Sequence, residues 1–244
     1  SAIPFVHEHR VWFCVAAIVV LAAVNLRGIK ESGSVLAIPT YAFIFGVIAM
    51  LVWGAIEIFI LGRDVRAETA DFGIRAENTH LAGVAFIFLI ARAFSSGSAA
   101  LTGVEAISNG VPAFRKPKST NAATTLLLMG GIAITMLVSM IALASWTGVK
   151  VAEDPATQLL RDGQPVGEEY VQHTVMAQVA QSVFDGFPAG VVIVSIVTGL
   201  ILVLAANTAF NGFPVLGSIL ARDGYLPRQL HTRGDRLAFS NGMI

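Results

Sequence analysis

Charge is scarce in this chain: Asp, Glu, Lys and Arg make up 13% of its 244 residues, against about 25% in soluble domains. The charge that exists cancels, sixteen basic residues against sixteen acidic ones. A balanced total supplies no polyanion-binding field, so no nucleic-acid partner is expected. Cysteine is nearly missing as well. Cys14 stands alone inside an apolar run, which rules out an internal disulfide and marks it as a packing residue. The five histidines, His7, His9, His80, His173 and His231, all lie in loops or polar flanks. A histidine-activated nucleophile at membrane depth is thereby unsupported, in spite of the SSGS string at 95–98. There is no glycine-rich phosphate loop and no zinc-type His/Cys spacing. The chain is not read as an enzyme, and no cofactor is expected.

What the chain does have is apolar length. It is 55% hydrophobic, with a mean hydropathy of +0.72. A helix needs about 20 mostly apolar residues to cross a bilayer. Five segments approach that: 11–26, 34–61, 81–108, 122–146 and 189–221. The first is entered through the polar His7-Glu8-His9-Arg10, and Pro39 lies in the first turns of the second, where a missing backbone donor is tolerated. In the fifth, Asn211-Gly212-Phe213-Pro214 is expected to bend the helix. The predicted class is all-α transmembrane with five membrane-spanning helices, and residues 1–244 read as one partial transporter membrane domain. The chain starts at Ser1 with no basic leader or cleavage site, and ends in FSNGMI, which resembles the onset of another apolar run. It reads as an internal piece of a longer protein.

Between the spans, 62–80 is polar and mixed in charge, and 150–186 is the longest polar segment. Within the latter, Val175, Met176, Val179, Val183 and Phe184 fall on one helical face, with Gln178, Gln181 and Ser182 opposite. This predicts an amphipathic outer helix at about 174–184, stopped by Asp185-Gly186. Basic residues in short loops mark the cytoplasmic side. Segments 27–33, 111–121 and 222–236 carry Arg27, Lys30, Arg115, Lys116, Lys118, Arg222, Arg228, Arg233 and Arg236. The opposite loops hold Arg63, Arg66, Arg75, Lys150 and Arg161 diluted by ten acidic residues. The expected placement is multi-pass in the plasma membrane, with Ser1 outside and the C-terminal end cytoplasmic. Trp12, Trp53 and Trp146 sit toward span ends, as an interfacial belt would have them.

The third span carries a glycine- and serine-rich, charge-bearing interruption, SSGSAALTGVEAISNGVP at 95–112. Lipid cannot satisfy freed backbone groups, so such a break survives only inside protein or against a hydrated cavity. Thr102 and Glu105 stand three apart, which puts both on one face of any helical turn there. With loosened carbonyls around Ala99, Ala100, Leu101 and Gly103, they would make a hard-oxygen cluster suited to an alkali cation, and Glu105 could also carry a proton. The competing reading is that these small residues only allow close helix packing and Glu105 pairs with a structural arginine. Glu57 and Arg92, charged residues in neighbouring antiparallel spans, are expected to form a structural ion pair near the outer face. Asn207 and Thr208, amid Ala205, Ala206 and Ala209, either line a cavity against the broken helix or glue helices together.

Three strings, NLRGIKESG at 25–33, TGVEAISNGVPAFRKPKSTNAA at 102–123 and ILARDGYLP at 219–227, resemble the amino acid–polyamine–organocation (APC) transporter superfamily. The resemblance implies that the spans are helices 4 to 8 of a LeuT-like inverted-repeat fold with a broken helix 6. The wording ALTGVEAISNGVPAF together with TAFNGFPVLGSILARDGYLPRQL is similar to KimA/YdaO-type potassium importers. In that group the Thr and Glu of the TGVE string help coordinate potassium, which implies K+ at Thr102 and Glu105 here. Amino acid permeases commonly place aromatics just before the Gly of this motif; here Ala99, Ala100 and Leu101 stand there. On this map helices 1 to 3 and 9 onward are missing, so the chain would hold about half of a binding site.

The function expected is that of a secondary active transporter fragment, for proton-coupled potassium uptake. The alternative is an amino acid or polyamine permease of the same fold, and a further reading is a non-transporting membrane sensor. The expected partners are a small solute (potassium ion or amino acid), protons and membrane lipid, and a homodimer of the full-length protein is left open.

Overall fold

The computed structural model describes residues 9–26, 33–75, 83–98, 107, 111 and 114–231. Helices dominate. In chain order they are α1 (Arg10–Leu26), α2 (Gly33–Ala55) running on into a π-helical turn (Ile56–Ile60), α3 (Val84–Ser98), α4 (Lys118–Trp146), α5 (Pro155–Gln158), α6 (Val175–Val183) and α7 (Pro188–Arg222), followed by a 3-10 turn (Arg228–His231). Three stretches are long and apolar enough to cross a membrane: Ala37–Ile60, Lys118–Trp146 and Pro188–Thr208. The apolar helices Val11–Ala23 and Val84–Ser98 are shorter than that. Five spanning helices are thus expected from the sequence, and three among the described residues meet the length and composition for spanning.

The class is not purely α. Gly73–Ile74 (β1), Leu159–Arg161 (β2) and Gln164–Pro165 (β3) form an antiparallel sheet in the order β1-β2-β3. The cause is a two-residue hairpin. Asp162 (φ 53°) and Gly163 (φ 79°) are both left-handed and bring Arg161 opposite Gln164. Positive φ at both central residues matches the right-handed twist of paired strands, and Asp-Gly is a favoured pair for it. Pro165 is tolerated because β3 is an edge strand.

The chain divides into two compact units. The first comprises Ser1–Ile56 and Val183–Ile244; in it α7 packs on α1, on α2 and on the 3-10 turn. Its core includes Val47, Met50, Val194 and Ala221. Gly46 brings α2 close to α7: a Cβ there would meet Val197 Cγ2 at 3.3 Å. The helices show large apolar side chains outward, such as Trp12, Ile38, Phe45 and Leu202. In water such a surface would aggregate; in lipid it is what a spanning helix presents. α7 passes as one helix through Asn211-Gly212-Phe213-Pro214, where the sequence suggested a bend. Gly224 (φ 86°) then stops it: Tyr225 N–H donates to Leu220 O at 2.9 Å and Gly224 N–H to Ala221 O at 3.3 Å. Those two bonds are a Schellman motif, which gives the ILARDGYLP string a physical role as a helix stop.

The second unit is Glu57–Ser182. It holds α3, α4, the sheet and most of α6. α4 closes with the same motif: Gly148 is left-handed (φ 74°), Val149 N–H donates to Ala144 O at 2.9 Å and Gly148 N–H to Ser145 O at 3.3 Å. Beyond that stop, residues 64–75 and 147–182 assemble a small core with Val65, Phe72, Leu159, Val179 and Ala180 buried. α6 departs from its predicted faces at one position. Gln178, assigned to the polar face, is fully buried. The buried Thr69 supplies the reason, because its hydroxyl donates to Gln178 Oε1 at 2.6 Å.

Candidate functional site

Among the described residues, some polar side chains on apolar helices have an identifiable environment. Asn207 on α7 is buried, and Asn25 Nδ2 on α1 donates to its Oδ1 at 2.6 Å. The same Nδ2 also donates to Leu21 O at 2.8 Å. Helices in lipid gain nothing from burying apolar surface against one another, so a buried amide pair of this kind carries much of their specific association. The neighbouring Thr208 points to an exposed face and donates to Leu204 O at 3.3 Å, a bond within its own helix. Thr198, nine residues before Asn207 and about two and a half turns away, lies on the opposite side of α7. Its buried Oγ1 meets no hydrogen-bond partner among the described residues. α7 therefore presents Asn207 to α1 as a clamp and does not gather these three side chains on one face.

Glu57 was expected to pair with Arg92. Its partner is Arg63: Nη1 donates to Glu57 Oε1 at 2.8 Å, with the carboxylate buried and the guanidinium exposed. The backbone explains the choice. The π-helical turn Ile56–Ile60 ends in left-handed Gly62 (φ 61°), and Arg63 N–H donates to Glu57 O at 2.9 Å. This turn folds Arg63 back over the residue six before it, and a local partner already in place outcompetes one on another helix. Arg92 stands on an exposed position of α3. Phe59 of the π-helical turn and Trp146 at the end of α4 meet edge to face with centroids 4.8 Å apart.

The sequence-predicted ion site falls elsewhere. Ala99, Ala100, Leu101, Thr102, Gly103 and Glu105 lie outside the described residues. α3 is described as far as Ser98, whose Oγ donates to Phe94 O at 2.8 Å. Among the described residues no group of three or more His, Cys, Asp or Glu could hold a metal ion.

Sequence reasoning passed over the densest polar cluster among the described residues, which sits beyond the end of α4. Thr69 Oγ1 accepts from Lys150 N–H at 2.8 Å while donating to Gln178. Gln178 Nε2 donates to His173 O at 3.0 Å. Lys150 Nζ donates to the Ala70 carbonyl at 2.9 Å and to the Phe72 carbonyl. Gln172 closes a two-bond clamp on Ala152, at 2.8 and 3.0 Å. The Arg161 guanidinium lies 4.8 Å from the Phe72 ring centroid and 6.0 Å from that of Tyr170. Burial, and then the charge of Glu68, hold the Tyr170 hydroxyl above the ordinary tyrosine range, with Arg161 offsetting part of this. This cluster is a brace of side-chain amide and hydroxyl bonds, with one ammonium on backbone carbonyls and one guanidinium over aromatic rings. Asn25 was equally unmarked in the sequence, read only as the start of a loop string; an amide one residue inside the end of an apolar run was its signal.

Comparison with known proteins adds the context that this geometry lacks. Residues 2–244 match the family described as amino acid permease. The chain is also 40% identical over 244 residues to the potassium transporter KimA of Bacillus subtilis (strain 168). That alignment takes in 100% of this chain and 36% of the relative, so the chain spans about a third of that protein's length.

Proposed function

Because the chain belongs to the amino acid permease family of the APC superfamily, a family of membrane transporters, we propose that it is part of a secondary active transporter that takes up potassium together with protons. The observation that carries this reading is the identity of 40% along the whole chain to a potassium transporter. In this reading segments 11–26, 34–61, 81–108, 122–146 and 189–221 all cross the plasma membrane, as helices 4 to 8 of a LeuT-like fold. Ser1 is outside and the C-terminal end cytoplasmic, with α6 on the outer side. No covalent chemistry is involved.

The residues proposed to act are Thr102 and Glu105. Their oxygens, with backbone carbonyls at Ala99, Ala100, Leu101 and Gly103, replace part of the hydration shell of a potassium ion. An acidic side chain within an apolar segment is functional by default because ionisation there is costly. Glu105 can meet that cost in two ways, by holding a cation or by binding a proton, and alternating between them couples the two fluxes. Asn207 acts as a clamp between α1 and α7.

A second reading has its own support: the matched family is described as amino acid permease. There the broken helix binds a substrate carboxylate or ammonium at its helix ends. Growth of a potassium-starved uptake mutant carrying the full-length protein separates the two. Rescue is expected with the parent sequence and is expected to be abolished by Glu105→Gln. Undiminished rescue by that variant would remove the proposed role of Glu105. Uptake insensitive to potassium and competed by an amino acid would favour the permease reading, and absence of any flux would leave the fold to sensing.

A further inference from the structure

His173 and Glu68 face one another across a seam that buried bonds of the second unit already close. Glu68 precedes Thr69, whose hydroxyl donates to Gln178 Oε1 at 2.6 Å, and Gln178 Nε2 donates to the His173 carbonyl at 3.0 Å. One glutamine of α6 therefore ties the residue after Glu68 to the backbone of His173. Thr174 then starts the helix: its carbonyl accepts from Gln178 N–H at 3.0 Å and its Oγ1 from Ala177 N–H at 3.3 Å. Against this frame His173 Nε2 and Glu68 Oε2 lie 3.9 Å apart, with the side chains 30% and 37% exposed. That gap is too long for a hydrogen bond and short enough for an ion pair once the imidazole is charged.

The other charged groups packed here have partners of their own. On segment 64–75, Arg66 meets Asp64 at 3.0 Å and Asp71 at 2.8 Å. Lys150 Nζ donates to the Ala70 and Phe72 carbonyls, and Arg161 lies over the Phe72 and Tyr170 rings. Burial and the Glu68 charge keep the proton on Tyr170 at neutral pH. Val175–Val183 carries no titratable side chain. Histidine is the residue type whose ordinary titration falls between pH 5 and 8, and among the described residues His173 is the histidine of this seam.

We propose that Glu68 and His173 form a proton-operated latch on α6: as the surrounding solution acidifies, the imidazolium pairs with the carboxylate and holds the start of α6 more firmly to segment 64–75. With the imidazole neutral, Thr69 and Gln178 hold the seam alone. The pair is half exposed, so protons reach it directly from solution and its strength is that of a partly screened contact. A closed pair makes the folded state bind this proton more tightly than the unfolded chain does, so the added stability appears as pH falls. The proposal rests on the transport reading only for the compartment it senses, which is the outside.

Hydrogen exchange in the full-length protein in detergent, at pH 7.5 and 5.5 and corrected for the intrinsic pH dependence of exchange, tests the latch. Protection of residues 175–183 is expected to rise about threefold at the lower pH, with the amides of α4 unchanged. Glu68→Gln and His173→Gln are each expected to abolish the rise while keeping the parent's protection at pH 7.5. His173→Arg is expected to give the raised protection at both pH values. A parent without the rise would overturn the proposal, as would a rise that survives Glu68→Gln. Loss of protection at pH 7.5 in both glutamine variants would overturn it too, because the two side chains would then be structural while the imidazole is neutral. None of these readouts needs flux, so the latch and the transport reading fail separately.

Discussion

The brace beyond the end of α4 and the bundle of α1, α2 and α7 bury polar groups differently, although each holds one buried hydroxyl without a partner among the described residues, Tyr170 and Thr198. In the brace, Thr69, Thr147 and Gln178 are almost wholly buried, and each is bonded: Thr69 to Gln178 and Lys150, Gln178 to His173, and Thr147 to Leu143. In the bundle, the amide pair Asn25–Asn207 links α1 to α7 across 182 residues, and Ser218 of α7 is buried as well. The solvent explains the difference. Residues 64–75 and 147–182 have the polar, mixed composition of segments that meet water, where apolar burial drives collapse and most polar groups carried inside find a partner; the buried Tyr170 hydroxyl, which meets none among the described residues, is an exception. Apolar helices in lipid have no such drive, so polar contacts such as Asn25–Asn207 help select which faces meet. A core polar group in the brace is therefore a requirement of folding, and one in the bundle a choice of partner.

The sharpest way to break that contrast is to attack the stop that begins the brace. Gly148 is left-handed, and a Cβ there would lie 3.1 Å from Ala70 Cβ and 3.4 Å from its Cα. Gly148→Val adds a strained backbone and an overpacked contact, together about 3 kcal/mol. The expected result is fast hydrogen exchange through 175–183 in the full-length protein, with the amides of α1 and α2 unchanged. Next in size is Gln178→Leu, which leaves the Thr69 hydroxyl and the His173 carbonyl without the bonds they make now. A cost of about 2 kcal/mol follows from orphaning buried polar groups, read in the same exchange measurement. If leucine is tolerated there, the brace does not follow the rule for water.

These two positions also show where the sequence was readable. The apolar runs of α2, α4 and α7 were plain, because a bilayer imposes length and composition on its spans. Gln178 was misassigned because periodicity separates apolar from polar and cannot distinguish a polar side chain that faces water from one with a buried partner 109 residues away. The sheet was legible and overlooked: Asp162-Gly163 between short runs is a hairpin signal. Glu57 found Arg63 because a π-helical turn and a glycine bend the chain back locally, and charge alone does not announce such a turn. At the candidate ion site, residue type was the readable part. Thr102 and Glu105 stand out by chemistry and lie outside the described residues.

The bundle's half of the comparison is sharpened by Asn207→Leu. Double-mutant measurements on membrane helices put such bonds near about 0.6 kcal/mol, reaching about 1.7, so a loss of about 1 kcal/mol in thermal stability in detergent is expected. The loss is small because Asn25 Nδ2 keeps its bond to Leu21 O and is not orphaned. Asn25→Leu should cost the same, and the double variant little more than either alone. Additive losses would mean that the two amides act separately.

The smallest effect is expected at Tyr170, which sharpens the brace side because it depends on pH. Burial, with the charge of Glu68 adding to it and Arg161 opposing, raises its pKa above 10.0. A raised folded-state value means that the native state holds this proton more tightly than the unfolded chain. The stabilisation is complete below the ordinary tyrosine range and is lost as pH climbs through that range toward the folded value. Exchange protection of residues 170–183 should therefore be unaffected by this group at neutral pH and should weaken above about pH 10. Tyr170→Phe removes the ionisable group while keeping the ring that meets Phe72 edge to face at 5.6 Å. Its protection should stay flatter than the parent's in the alkaline range, and identical alkaline slopes would show that this hydroxyl is as free to ionise in the fold as in the unfolded chain.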